Sequence, residues 1–301
     1  MTAKVILNPY AARWNARARW AEAEAALKAA GVDYEMVESS GRGDCARLAA
    51  QAVRDGFSPI IAAGGDGTNG EVINGMTSVT KSADEPLATF GLLPLGTAND
   101  LANNLKLPLD LNQAARIIAA GHTHSIDLCQ VNDRYFINNA ALGLEPTVTI
   151  IQQDIHWLKG IPRYLVAAIK SIWRNAQWDA EMTWDDGEYN GPVTLVTVGN
   201  GAITGGLFYM APHAVPDDGK LTFVYGYRAS RIALLKMLPR AMKSDAGSYT
   251  EEDDIYEIET RELTVRLKQP SPAHADGELF SDGLLEAHYR IYPGRVPMLM
   301  P

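Results

Sequence analysis

Between Lys4 and Leu95 the apolar positions switch repeatedly between a period of two and a period near 3.6. Lys4–Asn8 reads as a short strand. Trp14–Ala30, rich in Ala, Glu and Arg, reads as a helix stopped by Gly31. Val32–Ser39 predicts a second strand and Asp44–Asp55 a second helix. Ser58–Ala63 predicts a third strand that ends at a glycine pair. A helix follows through Ile73, then a strand at Thr89–Leu95. Such alternation predicts a parallel sheet with helices on both faces, whose ligands sit at the carboxyl ends of the strands.

From about Ser125 the texture changes. Strand-like runs dominate at Ser125–Val131, Tyr135–Ala141, Ala180–Trp184, Pro192–Val198, Leu221–Tyr225, Ile255–Glu259 and Leu263–Leu267. Asn132-Asp133 and Asp186-Gly187 are hairpin signals. A mostly antiparallel second domain is expected, interrupted by helices near Trp157–Ala176 and Ser230–Lys243. No internal repeat or low-complexity tract is visible. The fold class is therefore α/β for the first domain, joined to a mainly antiparallel β domain.

Composition narrows the function. The 301 residues are 47% apolar and 21% charged, enough for one large or two ordinary cores without staples. Lys and Arg number 27 against 36 Asp and Glu, a net charge of −9, so a global basic footprint for nucleic acid is absent. Cys45 and Cys129 have no metal or redox spacing and read as buried thiols. No stretch approaches the ~18 apolar residues of a spanning helix, and the opening apolar run is too short for a signal peptide. A cytoplasmic protein is expected, at most peripheral on the inner face of a membrane.

Two motifs carry the chemistry. Gly64-Gly65-Asp66-Gly67-Thr68 directly follows Ile60-Ile61-Ala62-Ala63. A strand running into glycines and then a helix presents free backbone N–H groups to an anion. Gly65, Gly67 and Gly70 also match the dinucleotide spacing, but on the third strand and without an acid at a strand end about 20 residues on. Pro94-Leu95-Gly96-Thr97-Ala98-Asn99-Asp100 is a second glycine turn after a strand; a helix N-cap explains Thr97 or Asn99 equally well. Two such loops on one sheet point at one crevice, and no P-loop pattern is present.

Together with Asn8-Pro9, Asp218-Gly219 and Asp276-Gly277-Glu278, these motifs resemble, in order and across nearly the whole chain, the bacterial diacylglycerol-kinase-like lipid kinases. Those kinases are related to sphingosine and ceramide kinases and, more distantly, to NAD kinases. The resemblance implies a three-layer nucleotide-binding domain like that of NAD kinase and phosphofructokinase over residues 1–124, with 287–301 returning to it. It implies a β-sandwich lipid domain over 125–286, and a lipid site in the cleft between the two. Asn8, Gly64, Gly65, Asp66, Gly67 and Thr68 would cradle ATP phosphates, with Asp66 acting through Mg²⁺. Ser39 and Thr97 would touch the nucleotide. Asp100 and Asp127 would join the metal network, and Asp276 would be the general base, with Glu278 next in line. A second Mg²⁺ would sit near Val215, Asp218 and Lys220, held largely by main-chain oxygens.

The chain departs from the family in two places. Asn-Pro-x-Ser-Gly-Lys-Gly becomes Asn8-Pro9-Tyr10-Ala11-Ala12-Arg13-Trp14, with Arg13 as the phosphate-facing cation. Gly70 stands at the family's Asn, with Asn69 one position earlier as the substitute.

The expected activity is ATP- and Mg²⁺-dependent phosphorylation of a lipid hydroxyl, on diacylglycerol, phosphatidylglycerol or a long-chain base. A soluble-substrate kinase of the NAD-kinase type and a weakly active nucleotide- or lipid-binding homologue are the rival readings. Two segments bear on the membrane. Ile150–Trp178 carries Lys159, Arg163, Lys170 and Arg174 against Asp154, with Trp157, Trp173 and Trp178. Tyr227–Lys243 carries Arg228, Arg231, Lys236, Arg240 and Lys243 with no acid. Basic charge beside interfacial aromatics suits an anionic bilayer, and solvated helix faces are the plainer alternative. A homodimer is left open.

Overall fold

The computed structural model describes residues 2–12, 15–80, 82, 85–158, 160–174 and 176–301. The chain forms two compact units. One is Met1–Leu128 with Tyr135–Ile137 and Tyr292–Pro301; the other is Cys129–Arg134 with Asn138–Ile291.

The first unit alternates β1 (Ala3–Leu7), α1 (Asn15–Ala29), β2 (Tyr34–Glu38), α2 (Asp44–Arg54), β3 (Ile60–Gly64), α3 (Asp66–Thr77) and β4 (Phe90–Pro94). Two further helices follow, α4 (Asp100–Asn104) and α5 (Leu111–Ala120). The strands pair in the order β2-β1-β3-β4, all parallel. Alternate side chains serve opposite faces. Val5, Leu7, Ile61, Ala63 and Leu93 pack with Ala23 and Leu27 of α1 and Ala115 of α5. Ile6, Ile60, Ala62 and Leu92 pack with Ala49 of α2 and Val72 and Met76 of α3. Burial on both faces explains why β3 reads as an unbroken apolar run. Fully burying Ile60 or Ile61 contributes about 1.5–3 kcal/mol each. Neither cysteine is in a disulfide, and both are buried.

The second unit is an antiparallel β-sandwich. After the hairpin of β5 (Thr123–Val131) and β6 (Arg134–Phe136) come β7 (Asn139–Gly143), α6 (Leu144–Gln153), α7 (Gly160–Arg174), β8 (Trp178–Trp184), β9 (Gly187–Val193) and β10 (Leu195–Gly199). A small ribbon, β11 (Ile203–Thr204) with β12 (Phe208–Tyr209), precedes β13 (Leu221–Gly226), α8 (Arg231–Met237), β14 (Ile255–Thr260), β15 (Glu262–Ala275) and β16 (Glu278–Leu299). Neighbours run β14-β13-β10-β7-β15, each pair antiparallel. The first half of β15 pairs with β8, which pairs with β9, and β16 runs along β15. The end of β16 belongs to the first unit, where Met298 lies parallel to Phe90 of β4.

Both anticipated hairpins form: Asn132 takes φ 52°, and Trp184 pairs with Gly187. Three helices, α4, α5 and α6, were not anticipated. The β-branched run of α6 (LEPTVTIIQQ) hides its helical period. Gln269–His274, despite its two prolines, is continuous strand within β15. Pro270 and Pro272 are accommodated where the register shifts between Arg266 and Ala273, as proline in a strand requires.

Candidate active site

The carboxyl ends of β1, β3 and β4 bring together the predicted phosphate loops of the first unit. Asn8, just past β1, donates from Nδ2 to Thr68 Oγ1 at 3.0 Å, while its Oδ1 accepts the Tyr10 N–H at 3.1 Å. Thr68 is therefore buried and holds the loop together. The chain hugs this hydroxyl so closely that a Cβ on Gly64 would lie 2.3 Å from it. Gly65 precedes α3, whose first amide N–H groups have no partner within the helix.

The two glycine loops touch. A Cβ on Gly96 would lie 2.4 Å from Gly65 Cα and 2.6 Å from Asn99 Oδ1. Asn99, at φ 52°, closes its own turn, accepting the Gly96 N–H at 3.0 Å and donating to the Gly96 carbonyl at 3.3 Å. Asp66 Oδ1 accepts the Leu101 N–H at 3.1 Å, so this acid also caps α4. Burial pushes the Asp66 carboxyl up, against the amide N–H groups of Leu101, Asp100 and Asn99 that favour its charge. Asp100 is buried as the first residue of α4, and Thr97 is exposed on the loop.

Ser39 and Asn69 are buried, and Ser39 Oγ and Asn69 Oδ1 have no hydrogen-bond partner among the described residues. Gly70 gives its carbonyl to Asn74. Ala12 takes φ 50°, a left-handed conformation that glycine adopts more cheaply, where the family has glycine. Arg13 lies outside the described residues. Glu71 accepts the N–H groups of Gly43 and Cys45 and caps α2. Asp127, buried in β5, accepts the Gly294 N–H at 2.7 Å and so ties the returning segment to the first unit.

In the second unit Asp276 is buried at φ 47°, between β15 and β16. Its Oδ1 accepts the backbone N–H groups of Asn138 at 2.9 Å and Asn139 at 3.2 Å, and its own N–H donates to the Asn139 carbonyl. Two amide donors aimed at one oxygen fix where this carboxylate points. Glu278 opens β16, half-buried, opposite Ala275. In the loop before β13, Asp218 Oδ1 accepts the Lys220 N–H at 2.9 Å, Lys220 Nζ pairs with Glu259, and Val215 is exposed. Of the named groups, the Asp218 carboxylate is the oxygen donor type that suits Mg²⁺. No group of three or more His, Cys, Asp or Glu side chains that could hold a metal ion forms among the described residues.

Sequence reasoning missed the most polar part of this unit. Glu145 and His274 are buried and paired, Nε2 to Oε1 at 3.1 Å. Glu145 also lines an apolar cavity of about 70 Å³ with Tyr164, Ile172, Phe208 and Met237. Its partners lie on β7, β10 and β15, so only the strand register would have exposed it.

The basic segments need correction. Arg240 pairs with Glu251 and Glu252, Arg228 with Glu252 and Asp254, and Arg163 Nε donates to the Gln152 carbonyl. These three are structural cations. Lys170, Arg174, Arg231, Lys236 and Lys243 are exposed, near exposed Ile169, Trp173 and Ile232, and Arg231 lies over the Trp173 ring. Lys159 lies outside the described residues. No helix among the described residues is long and apolar enough to cross a membrane.

Residues 2–131 match the diacylglycerol kinase catalytic domain, and residues 138–300 match the YegS C-terminal NAD kinase beta sandwich-like domain. The chain belongs to this family of lipid kinases. A protein of Chromohalobacter salexigens named "Probable lipid kinase YegS-like" is 30% identical over 78% of this chain and 74% of its own length. A diacylglycerol kinase of Staphylococcus saprophyticus is 27% identical over 92% of this chain and 88% of its own. The same fold occurs in a solved diacylglycerol kinase structure from Bacillus anthracis, with TM-score 0.74, 20% identity, and 100% and 97% of the two chains covered.

Proposed function

We propose that this kinase transfers the γ-phosphate of Mg²⁺-ATP to a hydroxyl of a membrane lipid, with diacylglycerol as the first acceptor to test. Phosphatidylglycerol and long-chain bases carry the same reacting group. The observation that carries the lipid reading is the apolar cavity of the β-sandwich unit, with Glu145 as its one charged lining residue. Its other lining side chains, such as Ile172, Phe208 and Met237, are apolar or aromatic and suit a hydrocarbon chain. The names of the relatives point the same way.

In this reading the helix N-terminus at Gly65–Thr68 and the Gly96–Asp100 turn hold the nucleotide phosphates. Ser39 and Asn69 offer their unpartnered oxygens to the nucleotide. Asp66, raised by burial, gains from a divalent cation beside it. The loop at Val215, Asp218 and Lys220 would hold a second Mg²⁺. Mg²⁺ neutralises charge developing on the phosphates. Asp276 takes the acceptor's proton, its lone pairs oriented by two amides. Exposed Lys170, Arg174, Arg231, Lys236 and Lys243 with Trp173 and Ile232 lean on an anionic bilayer.

Incubation with labelled ATP, Mg²⁺ and a total lipid extract tests this. Label in phosphatidic acid supports diacylglycerol as acceptor, and label in another phospholipid reassigns the acceptor. Label in no lipid overturns the reading.

A further inference from the structure

Glu145, at the start of α6, reaches across three strands of the sandwich. In the ladder Thr197 of β10 faces Ala141 of β7, and Ala141 faces His274 of β15. Residues opposite one another in antiparallel strands share a face. The small Ala141 in the middle leaves room above it, and the Glu145 carboxylate fills that room. Its Oε2 accepts the Thr197 hydroxyl at 2.6 Å, and its Oε1 meets His274 Nε2 at 3.1 Å. The same Oε1 accepts Asn139 Nδ2 at 2.8 Å, from the next residue along that face of β7.

Asn139 is the link outward. Its side chain is held by Glu145, its N–H donates to Asp276 Oδ1, and its carbonyl accepts the Asp276 N–H. His274, near the end of β15, is two residues before Asp276. Both routes from Glu145 therefore end at Asp276.

We infer that Glu145, through Asn139 and His274, is a positioning residue for Asp276. This rests on the reading of Asp276 as the general base. Packing does not call for a carboxylate here. A charge buried against an apolar cavity is costly to desolvate unless every lone pair is used, and a hydrophobic residue would fill the space without that cost. Burial pushes the Glu145 carboxyl up, but His274, Thr197 and Asn139 outweigh it and hold it below the ordinary carboxylate range. The ionised form is thus the one the network is built around. The titratable groups facing it are His274 on β15, Tyr249 after α8, Tyr289 on β16 and, through Asn139, Asp276. Burial raises both tyrosines, with the Glu145 charge adding to it, so they stay neutral neighbours.

A carboxylate that reaches Asp276 through Asn139 fixes the amide cradle in which Asp276 sits. The experiment is a double-mutant cycle of Glu145→Gln with Asp276→Asn. It is assayed with Mg²⁺-ATP and diacylglycerol in mixed micelles, or with the acceptor that the total-lipid labelling identifies. Gln keeps the size and the Oε1 acceptor and removes the charge. Glu145→Gln alone should lower kcat about tenfold or more and leave the KM for ATP within about twofold. In the Asp276→Asn background it should cost less than about threefold further, because the group it acts on is gone. A purely structural role would raise the KM for ATP as kcat falls and would show no such coupling. Thr197→Val, which removes one donor and leaves the charge, repeats the cycle should Glu145→Gln fail to fold. Equal losses from Glu145→Gln with and without Asp276 overturn the inference. Near wild-type turnover in Asp276→Asn alone overturns the base reading beneath it. Phosphorylation of no lipid overturns both.

Discussion

Gly96→Ala tests whether the two glycine loops work as one site. The new methyl would sit 2.4 Å from Gly65 Cα and 2.6 Å from Asn99 Oδ1. Carbon atoms rest about 3.5–4.0 Å apart, so the loops must part by about 1 Å. Gly65 Cα is backbone, and Asn99 is held by its two bonds to Gly96, so neither yields cheaply. Overpacking of this kind costs about 1–3 kcal/mol. For a protein of this size Tm falls about 2–4 °C per kcal/mol. The functional loss should be larger in proportion, since a misplacement of about 1 Å costs on the order of 10²-fold in rate. Gly41→Ala is the control, since its Cβ would meet nothing within 4 Å. Calorimetry of ATP binding, thermal melting and turnover on the two variants form the assay. A lowered Tm with unchanged ATP affinity would show that the loops pack together but hold no nucleotide. An unchanged Tm would show that the contact does not form.

The other predictions are briefer. Ala168→Leu, on the wall of the apolar cavity, should raise the KM for a long-chain acceptor at least severalfold while ATP binding holds; an unchanged acceptor KM would place the cavity outside substrate recognition. Replacing Arg231, Lys236 and Lys243 by Gln should release the protein from anionic vesicles by roughly tenfold or more at low salt, at ~1 kcal/mol per cation; unchanged sedimentation would remove these residues from the membrane reading. Asp66→Asn should abolish turnover without lowering stability, because Asn keeps the Oδ1 acceptor for the Leu101 N–H and removes a charge whose burial is unfavourable; a clear loss of stability would show that the charge itself holds the α4 cap. The depressed Glu145 carboxyl adds stability that is present above about pH 4.3 and lost as pH falls through its lower folded value. Acid unfolding followed by circular dichroism should therefore be shallower in Glu145→Gln, and identical profiles would assign the acid transition to other carboxylates.

The nucleotide-binding architecture was legible because its signals are local. A strand such as Ile60–Gly64 buried on two faces is an apolar run, glycines follow it, and a helix begins within two residues. Asp66 stood out in the sequence as an acid within a glycine loop, but its structural part did not. Nothing in Gly-Gly-Asp-Gly-Thr shows that its carboxylate caps a helix 35 positions later. The basic segment Tyr227–Lys243 misled for the complementary reason. Its charge is read within a window of 17 residues, while Glu251, Glu252 and Asp254, which neutralise Arg228 and Arg240, stand just beyond it.

The site in the sandwich was half legible. Asp276 announces itself through its order among the other motifs. Its cradle does not, because the donors are backbone amides of Asn138 and Asn139, more than 130 positions earlier, and amides carry no residue signature. The Glu145 bridge is harder still. It depends on Ala141 being small at one rung of a ladder whose partners are Thr197 and His274. A sequence shows an alanine, a threonine and a histidine scattered over three strands; only the register sets them in a row. A larger residue at position 141 would fill the room above the rung, leave Glu145 Oε1 and Oε2 without their partners, and bury an unpaired charge. Ala141→Val, which adds two methyl groups to that face, should therefore cost more than ordinary overpacking, about 3–5 kcal/mol where the charge is left alone. Its stability should recover when Glu145 is replaced by Met in the same chain, as measured by denaturant unfolding. No recovery would mean that the strain lies in the strands and not in the carboxylate.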